Sequence, residues 1–128
     1  MGNFSDQMSN RFIILAVNIV KIEKHLCKTN SGRHIYGQLF RAGTSTGANY
    51  EEARAGESRA DFIHKMQVVL KELRESRYWI SLIMEAKLIQ AENENLKFLS
   101  RESIELANIT AKSVVTAKSK SGKPPSQS

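Results

Sequence analysis

Both prolines of the chain, Pro124 and Pro125, lie at its C-terminal end. Between Met1 and Lys123 no residue removes a backbone donor or clashes with the preceding turn of a helix. Apolar residues recur there at spacings of three, four and seven, so the expected class is all-α. Phe12, Ala16, Ile19 and Leu26, with Leu15 and Ile22 beside them, predict a first helix over about 9–27. Residues 28–32 read as a turn, and Ile35, Leu39, Ala42, Thr46, Asn49 and Ala53 carry a second helix over about 32–54. Gly56 is a natural stop. Ser58, three residues before Asp61, is an N-cap for a third helix over about 58–89, carried by Phe62, Met66, Val69, Leu73, Ile80 and Ile83. Leu96, Leu99, Ser103, Leu106, Thr110 and Val114 define a fourth over about 93–117. Four helices with short links predict an antiparallel up-down four-helix bundle over residues 1–117, followed by a disordered basic tail, 118–128.

A chain of 128 residues supports one core. Its 41% hydrophobic and 25% charged residues exclude a disordered polymer. The longest apolar run, Phe12 to Val20, is broken by Asn18 and is far shorter than the ~20 residues a bilayer requires. The first eleven residues are mostly polar and do not read as a signal peptide, so a cytoplasmic location is expected. With Cys27 alone, neither an intrachain disulfide nor a cysteine-based metal site can form within the chain.

Catalytic and metal patterns are missing from the sequence. A di-iron bundle needs paired Glu-x-x-His motifs, and the nearest match, Asp61 to His64, reads as a cap followed by a surface histidine. His25 and Cys27 stand two apart, so on a helix they point in different directions. No enzyme activity, cofactor, metal or small-molecule substrate is expected.

Two features exceed what a plain bundle needs. Gly43 and Gly47, four apart in the second helix, each cost about 1 kcal/mol relative to alanine and imply close approach of a neighbouring helix. A phosphate loop is excluded, because Ala48 and Asn49 stand where Gly-Lys-Ser/Thr would end it. Thr46, Asn49 and Glu52 are expected to form a structural polar network. The third helix carries a second apolar stripe including Val68, Trp79 and Leu82, which fits either a subunit interface or a wide core stripe.

The run from Tyr36 to Trp79 resembles the bacterial four-helix bundle proteins first met as products of intervening sequences in large-subunit ribosomal RNA genes. The motifs are Gln38-Leu39-Phe40-Arg41-Ala42, the small residues Ser45 to Asn49 with Glu52 three later, the cap Ser58 to Phe62, and the region of Glu72 and Glu75. Phe40 departs from a basic or small aliphatic residue, and Arg54 from a glycine. The resemblance implies a left-handed bundle assembled as a ring, commonly a homopentamer, without accepted enzyme activity. It extends, through shared fold, to retroelement accessory proteins.

Net charge is +6, and four of the charges come from Lys112, Lys118, Lys120 and Lys123, with no acid after residue 110. One expectation is therefore an RNA- or DNA-binding oligomer whose basic surface comprises Arg41, Arg54, Arg59 and Lys65 with Lys118 and Lys120. The alternative is a protein-interaction or scaffolding module, such as an accessory partner of a reverse transcriptase. Phe40, Tyr50, Tyr78 and Trp79 are spaced for packing and do not read as a platform for stacking bases.

Overall fold

A computed structural model describes residues 2–122. They form α1 (Phe4–Lys21), the single turn α2 (Glu23–Leu26), α3 (Asn30–Arg54), α4 (Arg59–Glu85) and α5 (Glu94–Gly122), with no strand among the described residues. The four long helices pack in cyclic order: α1 on α3, α3 on α4, α4 on α5, and α5 back on α1. Side-chain pairs give the register. Arg11 meets Glu102 and Asn95 meets Asn18, so α1 and α5 are antiparallel; Lys65 meets Glu52 and Arg41 meets Glu72, so α3 and α4 are too. The result is the expected up-down bundle, with Phe12, Ile19, Leu39, Val69, Ile83 and Leu106 among the side chains closing its core.

The glycine pair explains why α1 lies so near α3. A Cβ on Gly43 would stand 2.2 Å from Ile19 Cδ1, and one on Gly47 would stand 3.1 Å from Phe12 Cβ. Both partners are fully buried, so the glycines give up helix propensity for a dry, tight contact. The predicted N-cap forms as read: Asp61 N–H donates to Ser58 Oγ at 3.1 Å.

Helix ends differ from expectation in four places. The first helix begins at Phe4, because Asp6 N–H donates to Asn3 Oδ1 at 2.9 Å and caps it five residues early. It breaks at Ile22, where the backbone N–H turns to Ile19 carbonyl at 3.2 Å. The third ends at Glu85 and not near 89, since Lys87 takes a left-handed φ of 55°. Leu88 N–H then donates to Ile83 carbonyl and Lys87 N–H to Met84 carbonyl, the paired closure of a helix C-terminus. The fourth runs to Gly122, so residues 118–122 are helical and not a disordered tail. Lysines in a last turn oppose the negative end of the helix dipole, and no breaker precedes Gly122. Residues 123–128 lie outside those described.

Two polar and apolar assignments also change. Thr46, Asn49 and Glu52 form no joint network: Thr46 donates to Gly43 carbonyl at 2.7 Å, Asn49 to Ser45 carbonyl at 3.1 Å, and exposed Glu52 accepts from Lys65 at 2.6 Å. Each residue satisfies itself within a turn or across the α3/α4 seam. The second stripe of α4 is largely spent inside the chain. Trp79 and Leu82 pack against the core while Val68 is half-buried, and Trp79 meets the His34 ring edge-on at 6.2 Å. Outward apolar residues are scattered over α3, α4 and α5 as Phe40, Tyr78, Met84, Ile104 and Val115, and form a stripe on α1, where Ile13, Val17 and Val20 are 61%, 43% and 51% exposed.

Candidate nucleic-acid interface

The cations read from the sequence fall into two groups once the register is known. Arg41 lies on the α3/α4 seam, paired with Glu75 and 3.6 Å from Glu72. Lys65 is engaged by Glu52 at 2.6 Å. Carboxylates from the adjacent helix thus occupy both, leaving the flank no continuous basic strip. Thirteen residues from Arg41, or roughly 20 Å along the helix axis, Arg54 stands at the end of α3.

That end of the bundle gathers the others. The start of α1, the α3–α4 turn, the first turns of α4 and the C-terminal half of α5 surround a cleft of about 970 Å³. Arg54, Arg59, Lys112 and Lys120 line it, and no carboxylate is among its lining residues. Arg59 and Lys112 have no ion pair among the described residues. Arg54 is the exception: it donates to Asp6 at 2.8 Å and to Ser9 at 2.7 Å, with Glu51 at 3.7 Å. The hydrogen bond from Arg54 holds the Asp6 carboxyl below the usual carboxylate range. Lys118 lies on the same last turns of α5 but does not line the cleft.

The floor is apolar. Met8, Tyr50 and Met66 are buried, Phe62 and Ile109 are half-buried, and Phe4 stands 60% exposed at the mouth. Ser5, Ser113 and Thr116 add hydroxyls. Each end of an up-down bundle carries two helix N-termini and two C-termini, so their dipoles largely cancel and side chains set the local charge. Such a site can hold an anion with an apolar body.

Sequence reasoning included Arg54, Arg59 and Lys120 but missed Lys112 as a site residue, along with Phe4 and Phe62. A signal existed, since Lys112, Thr116 and Lys120 repeat at four-residue spacing and share one face of α5. Among the described residues no helix is long and apolar enough to cross a membrane, and no three His, Cys, Asp or Glu cluster as metal ligands.

No curated protein matches the chain. Among solved structures, the crystal structure of a protein of unknown function from the S23 ribosomal protein family of Bacteroides thetaiotaomicron VPI-5482 is similar, with a TM-score of 0.76 and 31% identity. The match covers 86% of this chain and 96% of that one. The family described as 23S rRNA-intervening sequence protein matches residues 7–112, within which α3, α4 and α5 begin and α1, α3 and α4 end, and the chain belongs to that family.

Proposed function

We propose that the protein is a non-enzymatic nucleic-acid-binding bundle, with RNA the favoured ligand, and that the end cleft is its contact surface. One observation carries this: four basic and no acidic side chains line a single concavity, whereas Arg41 and Lys65 on the flank are each engaged by a carboxylate of the neighbouring helix. The cations of such a cluster displace counterions condensed on the phosphates, so affinity falls steeply with salt. Structured RNA and duplex DNA, titrated at about 50 mM salt and followed by fluorescence anisotropy, should bind in the micromolar range or better, within the reach of non-specific electrostatic binding. Arg59→Glu with Lys112→Glu should abolish the signal while leaving the helical spectrum intact. Arg41→Glu should matter little. An intact protein that shifts neither ligand overturns the reading.

The protein-interaction reading has support of its own in the outward stripe Ile13, Val17 and Val20 on α1, which nothing among the described residues covers. Its simplest form is self-association, as the ring of five that the sequence resemblance implies. The two readings are compatible, because stripe and cleft occupy different surfaces and a ring would multiply the basic ends.

A further inference from the structure

A phosphate backbone alone does not account for the shape of the end cleft. Duplex RNA or DNA keeps its bases stacked within the helix and needs only outward cations, whereas this cluster surrounds a recess with an apolar, aromatic floor. We infer that the cleft accepts unstacked nucleotides of a single strand, with bases against the floor and phosphates on the rim. The inference rests on the nucleic-acid reading above and names the form of ligand that this site takes.

Three features of the lining support it. Charge complementarity comes first: Arg59, Lys112 and Lys120 stand around the opening with no carboxylate among them, which favours a polyanion. The aromatic surface comes second. Phe4 reaches from the first turn of α1 and Phe62 from the first turn of α4, so two rings from different helices border one recess, above buried Tyr50. Phe4, 60% exposed, is not needed to close the core, whereas Phe62 is half-buried and packs on the core with part of its ring bordering the recess. Third, Ser5, Ser113 and Thr116 offer donors and acceptors that base edges or a ribose hydroxyl can use. At about 970 Å³ the recess lies at the upper end of small-ligand sites, large enough for more than one nucleotide.

The test compares a fluorescent single-stranded oligonucleotide of about 12 nucleotides with its blunt duplex, a length within the site sizes of single-strand binders. Full-length protein is titrated into each at one salt concentration. The single strand should bind about tenfold or more tightly. Phe4→Ala and Phe62→Ala should each reduce its affinity about fivefold or more, the loss expected for one stacking contact, and Phe4→Trp should restore it. Val115→Ser, on the outward face of α5, should leave both affinities unchanged. Equal affinity for strand and duplex, with both alanine variants silent and Arg59→Glu still disruptive, overturns the inference and leaves the nucleic-acid reading standing. Failure of both oligonucleotides to bind an intact protein overturns the two together. Capture of a long-chain carboxylate by the cleft, with no oligonucleotide able to displace it, also overturns the inference.

Discussion

Three glycines of one helix show how little a residue's identity says without its neighbour. Gly37 has nothing within 4 Å of where a Cβ would stand, whereas at Gly43 that atom would meet buried Ile19. Gly37→Ala should therefore stabilise the protein by about 0.5–1 kcal/mol through helix propensity alone. Gly43→Ala gains the same propensity but overpacks the seam, and a net loss of about 1–2 kcal/mol is expected in chemical denaturation. Adding Ile19→Val should recover part of that loss, a coupling that a double-mutant cycle measures. Gly47, against the Cβ of Phe12, is tight for the same reason. Tyr36 provides a second residue-scale test. Burial first, then Glu23 and Cys27, push its phenol from 10.0 up to about 12. The folded state thus favours the neutral form. That stability is fully present below about pH 10 and is lost as pH rises through about 12. Absorbance titration of phenolate should show a phenol ionising at about pH 12 that disappears in Tyr36→Phe, and Tyr36→Phe should lessen alkaline unfolding.

At the scale of helices, α1 depends on few specific ties to α5. Arg11 donates from Nε at 2.8 Å and from its terminal amine at 2.7 Å to Glu102, and also reaches Glu105 at 3.0 Å. Glu102 is only 8% exposed, so Arg11→Ala strands a carboxylate without its fork. We expect a cost of about 2 kcal/mol, below that of a fully buried pair because the arginine retains access to water. Arg11→Met with Glu102→Leu should recover most of it, as judged by urea midpoints. Helix positions were legible because period and caps are local: Ser58 with Asp61 announced α4 correctly. The end of α4 was not legible, since Lys87 adopts a conformation usually left to glycine while Leu88 and Ile89 continue the apolar pattern. The start of α1 was written in Asn3 and Asp6, yet a polar N-terminal stretch hid it.

For the whole molecule the fold was readable and the site only partly so. Arg41 and Lys65 look as available as Arg59 in the sequence, but antiparallel register brings Glu75 and Glu52 to the first two and no acid to the third. Pairing across helices depends on which residues stand level, a quantity that no single-helix pattern encodes. The same holds for surface apolar residues, since Trp79 and Leu82 of α4 pack on the chain's own core while Ile13, Val17 and Val20 of α1 face outward. Light scattering coupled to size exclusion should give a mass several times 14.4 kDa, five times for the ring. Val17→Asp should dissociate it to folded monomers, because an unpaired charge is costly in an apolar contact. Leu82→Asp should instead unfold the chain, since Leu82 packs on its own core. A monomer at tens of micromolar would exclude self-association.

The cleft is bordered by both the first turn of α1 and the last turns of α5, which places the two ends of the described chain at the same pole. Circular permutation becomes a practical route to handling the protein. Joining those ends with a short flexible linker and reopening the chain in the 86–93 connection would retain every long helix, because that connection is the only covalent link broken. The new ends would emerge at the opposite pole. A permutant could then be tethered to a surface through those new ends with its basic recess facing solution.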